Sequence, residues 1–399
     1  MRLRLGNIVF DESFFLISQI IISITITFFT IINQTTLTSV MFTLSFINLA
    51  FLYITSYKNS SITMWGWRLL AWCVLSILLS YLTGDKNFIL YDLVSFGTFA
   101  ATILYLQIVN NVNVTKNLAH LVLILGTASA VIYPIGYYFL NANEYRIMGS
   151  LLLTMHFSSP NLTGTYLAQA CLFSVLCFII TRKKIVKIIV TVVFVLDFYF
   201  LYQTGARNSL IAVIVALIGI VFVKIRKIKK INHIITFLIA IAPLVFAIMY
   251  LLFINTIETS GYLSFIIEEG KPITSRLRIW NNALQTLKGF HWIIGDYSKL
   301  RGNLHNTHIT ILGSYGIVGI SFLIKYLTDV MNTVGKTIKS PSQLICLICF
   351  FGTIIMGFGE AALFYGSMGM YAIACSYLIL ARYDWESERP VLRVVEALE

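Results

Sequence analysis

The chain reads as an all-α polytopic membrane protein, and three observations lead there. Of its 399 residues, 58% are hydrophobic and 12% are charged, with a mean hydropathy of +0.84. A soluble core of this size cannot hide that much apolar surface, so lipid is the solvent for most of it. The apolar residues also gather in runs near the ~20 residues that carry a helix across a bilayer. Finally, the net charge of +12 sits in short loops between those runs, where it sets topology and meets anionic lipid. No motif interleaves aromatic and basic residues for nucleic acid, so nucleic acid is left out as a partner.

Taken in order, the apolar runs predict about twelve transmembrane helices. They cover residues 14–32, 36–56, 65–82, 88–109, 118–140, 162–180, 188–203, 208–223, 232–253, 304–325, 343–358 and 361–381. The first lacks a small-residue cleavage site before polar sequence, so it reads as a retained anchor. With Arg2 and Arg4 in the cytoplasm, the cytoplasmic side collects roughly two-thirds of the Lys and Arg, as the positive-inside rule requires. The clusters RKKIVK (Arg182–Lys187) and KIRKIKK (Lys224–Lys230) both fall inside. Residues 1–382 then form a single transmembrane domain, and 383–399 a charged, frayed cytoplasmic tail.

Two outer features stand out. One is the loop 141–161; the other is 254–303, the only long soluble stretch. Within the latter, Thr274–Gly289 predicts a helix that Thr274 or Ser275 caps and Gly289 ends. Leu277, Trp280, Leu284 and Leu287 share one face of it, which predicts an amphipathic helix lying on the bundle or the bilayer. The six cysteines all lie in apolar runs. Cys346 and Cys349 make a CxxC inside LICLICFF, with no polar residue nearby to complete a metal site, so packing is the plain reading.

The candidates for chemistry lie on the predicted outer side. Arg207, in QTGARNSL, stands at a membrane boundary, where arginine either snorkels or serves a function. Arg276 and Arg278, in TSRLRIW, fall in the first turn of the predicted outer helix. A helix N-terminus disfavours cations until an anion docks, and a diphosphate suits guanidinium forks. His305 and His308 begin the span 304–325 and, at i, i+3, can share a helix face. A neutral imidazole there can take a proton from a hydroxyl near neutral pH. With no carboxylate or third histidine close in sequence and no HExxH, no metal is expected. Asn306 can hold the ring or a substrate, and His156, beside Ser158–Asn161, and Asn161 itself are further candidates for substrate contact. His120, His233 and His291 read as bland. Asp92 and Asp197 lie within apolar spans, where carboxylates are functional candidates unless tyrosines or backbone donors pair with them. Glu360 and Asp296 lie outside, where they can orient a sugar or an arginine. No P-loop, Rossmann glycine fingerprint or outer DxD-like pattern occurs, so neither ATP, a nucleotide-sugar donor nor any cofactor is expected.

These landmarks together resemble the O-antigen ligase/polymerase superfamily of bacterial membrane glycosyltransferases. His305 and Asn306, nine residues and then Gly316–Gly319 resemble its histidine motif. TGARNSL resembles its arginine turn, with Ala206 where the family often has serine. SRLRIWNNAL resembles its Arg-x-x-x-Trp segment, which matches Arg276 and makes Arg278 a neighbour. SSPNLTGTYLA resembles its Pro-Asn-x-x-Gly entry into a span, and Gly295-Asp296-Tyr297 stands where Gly-x-Gly is usual. The resemblance covers residues 158 to 319. It implies a GT-C-like helical fold and metal-independent, inverting transfer on the outer face of the bacterial inner membrane. The donor it implies is a glycan on undecaprenyl diphosphate. Arginines would hold the diphosphate and the histidine would activate the acceptor hydroxyl.

Within that superfamily the chain reads as a polymerase of the Wzy type, extending a second lipid-linked repeat unit, because it is rich in Phe (29) and Tyr (21). Its partners would be lipid-linked donor and acceptor glycans, membrane lipids and a chain-length regulator protein. The alternatives are a ligase, which transfers the glycan to lipid A-core, and a lipid-linked glycan flippase or other transporter. Against the transporter, no paired broken helices are visible at corresponding places in two halves. Topology is directly testable. Reporter fusions after Arg182 and Lys229 are expected to report cytoplasm and a fusion at Gly289 the outer side; a cytoplasmic signal at Gly289 overturns the placement of every candidate.

Overall fold

Lipid offers no hydrogen-bond partners to a backbone, so a chain this apolar must satisfy its N–H and C=O groups within helices. The computed structural model does so. It describes residues 3–5, 8–56, 64–83, 90–147, 151–228, 230–260, 273–300, 304–360 and 370–387. The helices are α1 (Glu12–Ile31), α2 (Thr35–Ser56), α3 (Met64–Thr83), α4 (Leu90–Asn111), α5 (Lys116–Phe139), α6 (Pro160–Ile180), α7 (Lys184–Gln203), α8 (Arg207–Arg226) and α9 (His233–Ser260). After a gap come α10 (Ile273–Thr286), α11 (His291–Ile294), α12 (Tyr297–Leu300), α13 (Thr307–Thr337), α14 (Pro341–Met356) and α15 (Met370–Ala381).

Among the described residues, nine helices are long and apolar enough to cross a membrane: α1, α2, α3, α5 to α9 and α13. Helices α4, α14 and α15 take the places of the other expected spans, and 361–369 of the last one lie outside the described residues. The chain is thus a multi-pass helical membrane protein. Two small antiparallel hairpins depart from an all-helical reading. β1 (Leu3–Leu5) pairs with β2 (Ile8–Phe10), and β3 (Tyr145–Ile147) pairs with β4 (Leu151–Leu153) in the loop between α5 and α6. The Gly6–Asn7 dipeptide between short β-prone runs is the sequence signal for the first. The tail is not frayed at its start: Trp385 is buried against His120 and donates to the Leu380 carbonyl. Residues 388–399 lie outside the described residues.

Of these nine helices, α6 and α13 are the most enclosed and α2 the least. α6 packs against α5, α7, α8 and α14, while α13 packs against α3, α4, α9 and α14. On α2, Leu37, Val40, Leu44, Ile47, Phe51 and Ile54 stay exposed at near-helical spacing, which is the stripe a lipid-facing helix presents.

The first glycine of the Gly316–Gly319 motif breaks α13 rather than simply packing it. Gly316 has φ 69° and ψ −172° and interrupts the helix. Gly295, at φ 79°, crosses it so closely that a Cβ on either glycine would overlap backbone of the other segment. Carbonyls released by the break find donors. Trp72 Nε1 donates to Tyr315 O at 2.9 Å, Ser76 Oγ to Ser314 O at 3.2 Å and to Ile294 O, and Asp296 N to Gly313 O at 2.8 Å. Non-helical backbone is tolerable at membrane depth only when buried in protein and satisfied in this way. Gly316→Ala is therefore expected to cost about 1–3 kcal/mol for the backbone conformation alone, with the collision against Ile293 O added. Thermal unfolding in detergent checks this, and an unchanged melting temperature would contradict the described crossing.

Candidate functional site

The site is built around the start of α13. Asn306 is its N-cap: Oδ1 accepts from the backbone N–H groups of His308 and Ile309, both at 2.9 Å. Its Nδ2 donates to Pro243 O on α9 and to Phe358 O just beyond α14, each at 3.0 Å. The side chain is fully buried, so this candidate for substrate contact is occupied in joining three segments. His305 precedes the cap with φ 57° and lies outside the helix. It therefore does not share a helix face with His308, contrary to the i, i+3 expectation. His308 is itself buried, and its Nε2 donates to Ala240 O at 2.6 Å.

What faces His305 is Glu360. The imidazole Nδ1 lies 3.0 Å from Glu360 Oε1, with the carboxylate nearly buried and the histidine side chain 38% exposed. A carboxylate accepts, so Nδ1 carries the proton and the basic lone pair falls on Nε2, the arrangement that orients a histidine as a base. The backbone supports the pairing: Thr307 N donates to Gly357 O at 2.9 Å and Thr307 Oγ1 to Glu360 O at 3.3 Å. Glu360, expected from sequence to orient a sugar or an arginine, is thus paired with a histidine.

The helix expected on the outer side reaches the same place. It is α10, ending at Thr286 rather than Gly289; its proposed capping side chains, Thr274 and Ser275, lie outside the described ones. Trp280 and Leu287 are buried and Leu284 is partly so, as the amphipathic pattern predicts, while Leu277 lies outside the described side chains. Trp280 stacks edge-on against Tyr250 of α9 and donates Nε1–H to Leu304 O at 2.7 Å. Leu304 N is held in turn by Thr310 Oγ1 at 3.1 Å, so the residue before His305 is fixed at both backbone groups. One turn before Trp280, the Arg276 guanidinium comes to Gly359: Nη1 lies 2.9 Å from where a Cβ there would stand. The Asn208 amide reaches the same point. Arg276, Asn208, Glu360 and His305 therefore gather about residues 359–360. Arg278 is exposed on another face of α10.

Arg207 opens α8. The turn before it, Thr204–Ala206, nests on Gly164 of α6, where a Cβ would overlap Ala206, so the Pro-Asn-x-x-Gly stretch and the arginine turn are in contact. Ala206 gives α8 no side-chain cap, and the first turn contains no acid. Arg207 is exposed and lines a cavity of about 490 Å³ with Tyr145, Leu152, Tyr202, Gln203 and Gly205. Tyr145 donates to Gln203 Oε1 at 2.7 Å and accepts from Tyr137 at 3.0 Å. Burial, and then the Tyr137 hydrogen bond, push its phenol above the usual range, so it remains a neutral donor. Of the remaining candidates, His156 (φ 63°) pairs through Nδ1 with Glu144 at 3.0 Å, and Asn161 is half-buried in the first turn of α6. Asp92 falls outside the described side chains. Asp296 is buried and accepts from Ser298 in the α12 turn at 2.8 Å.

Comparison with protein-family models, with curated proteins and with solved structures finds no match to this chain. Among the described residues, no three His, Cys, Asp or Glu side chains gather as a metal site.

The crowding at Gly359 gives a test of the cluster. Gly359→Ala is expected to push aside the mobile ends of Asn208 and Arg276 while leaving the helices intact. If the lipid diphosphate expected from the sequence is the ligand, binding of an undecaprenyl diphosphate analogue falls about tenfold, the loss of one charge-assisted contact of about 1.5 kcal/mol, at nearly unchanged melting temperature. Unaltered binding would separate Arg276 from ligand recognition.

Proposed function

We propose that this protein is a membrane glycosyltransferase of the O-antigen polymerase type. It would transfer a glycan from undecaprenyl diphosphate to a hydroxyl of a second lipid-linked repeat unit, with inversion, on the outer face of the bacterial inner membrane. The finer architecture belongs to the same proposal: twelve spans in a GT-C-like arrangement. One observation carries the reading, the His305–Glu360 pair next to Gly359, against which Arg276 and Asn208 lie. It supplies a base and a cation at one place, which this reaction needs.

In mechanism, His305 Nε2 takes the proton of the acceptor hydroxyl as its oxygen bonds to the anomeric carbon. The bond from that carbon to the diphosphate breaks, and the electron pair leaves on phosphate. Glu360 accepts from Nδ1–H and stabilises the imidazolium that forms. Arg276 and Arg207 balance the charge of the departing diphosphate, and Arg278, on another face of α10, assists. Both arginines stand in the first turns of helices, where an isolated cation is disfavoured by about 0.3–1 kcal/mol and a bound anion reverses the sign.

A general base contributes about 10²–10⁴-fold in rate, so His305→Ala is expected to abolish polymer formation at normal abundance and with donor binding kept. Arg207→Ala and Arg276→Ala should weaken donor binding, with Lys restoring only part because it lacks the bidentate fork. Arg278→Ala should be mild, and His308→Ala should lower stability while leaving measurable turnover. The assay is extension of a lipid-linked repeat unit by purified variants without a membrane gradient, with and without EDTA. Near-normal turnover by His305→Ala, or inhibition by EDTA that divalent metal reverses, would sink the mechanism. Transfer to lipid A-core instead of a second repeat unit would move the protein to the ligase class.

A further inference from the structure

The proposed reaction makes no use of Asp197, although it is the most enclosed carboxylate described. It lies in α7, fully buried, and neither of its side-chain oxygens has a hydrogen-bond partner. Its depth is shared. Asp197 stands six positions in from the outer end of α7 at Gln203, Tyr133 six from the outer end of α5 at Phe139, and Tyr166 six from Pro160 in α6. At 1.5 Å per residue this is a common level ~9 Å below the helix ends. Tyr133 is within electrostatic reach of both Asp197 and Tyr166. The Tyr166 hydroxyl is buried, and Thr27 of α1 is within its reach.

Among the described residues, the surroundings hold no counter-charge. The elements packed against α7 are α5, α6, α8 and β4. At or near this level α5 offers Tyr133, with Tyr137 and Tyr138 one turn above against Phe200. α6 offers Tyr166 and Cys171, and β4 is apolar. The charges of α8 are at its ends: Arg207 at the outer one, Lys224 and Arg226 at the other. An unpaired carboxylate in such an interior costs several kcal/mol, and the group takes a proton instead. A metal cation is a poorer occupant, since hard cations want about six oxygens. The site has one carboxyl and two phenols, and the surrounding carbonyls are used within helices.

We propose that Asp197 is a buried proton-binding site: its carboxyl carries a proton and stays neutral at the level of Tyr133 in α5 and Tyr166 in α6, beneath the Arg207 turn. The experiment is infrared difference spectroscopy of the full chain in lipid at neutral pH, wild type against Asp197→Asn. The expected result is loss of one protonated-carboxyl carbonyl band, with melting of the Asn variant close to wild type and that of Asp197→Leu lower. Loss of a carboxylate band instead, or wild-type melting that depends on sodium, overturns the proposal in favour of an ionised or cation-bound group. If the Asn variant does not fold, the neutral amide has failed to replace a neutral acid, and the proposal falls. The wild-type spectrum gives an independent check: absence of any protonated-carboxyl band at neutral pH also overturns it.

Discussion

The structure at the candidate site depends on one buried amide. Asn306 uses two acceptor positions to start α13 and two donor hydrogens to hold α9 and the segment after α14. Each buried group it satisfies would cost about 1–3 kcal/mol if left alone. His305 is the residue before this cap and Glu360 lies two residues after the Phe358 carbonyl, so the geometry of their pair follows from where the amide holds both strands of chain. Pro243 contributes from α9, because a proline inside a helix removes a ladder hydrogen bond and loosens the local pattern. The carbonyls of Ala240 and Pro243 there receive His308 and Asn306.

Around this anchor the electrostatics are one-sided. α8 begins with an arginine and without an acidic residue or side-chain cap, and α10 has no acid in its first turn. Fixed backbone dipoles and mobile guanidinium groups therefore point the same sign of potential towards the same end of the bundle. Such a surface is unfavourable by itself and becomes favourable when a multiply charged anion arrives. Glu360, beside this surface, is engaged with an imidazole at 3.0 Å.

Much of this was legible in the chain. Apolar runs located the helices, since a bilayer permits little else. His305, Arg276, Trp280 and Arg207 were visible because each stands in a local pattern with a local physical reason. The structure added what depends on distant segments. Glu360 becomes the partner of His305 only once residues 55 apart are brought together. Gly316 reads as a packing glycine until Gly295 is placed against it. Asn208, beside the arginine that sequence does select, carries no signal of its own and is found through its approach to Gly359. The shared helix face expected for His305 and His308 failed for a plain reason: the helix begins at Thr307, after the first of the pair.

The contacts that hold this region share one property: a side chain grips a main-chain carbonyl. Trp280 does so at Leu304, Trp72 at Tyr315, His308 at Ala240, and Asn306 at Pro243 and Phe358. A carbonyl is identical in every amino acid, so the gripping residue is constrained while the gripped position can drift without loss. Over long divergence such an architecture would keep a few isolated letters and scramble nearly everything between them. Descendants could then share the arrangement in space while pairwise alignment of their sequences finds little to score.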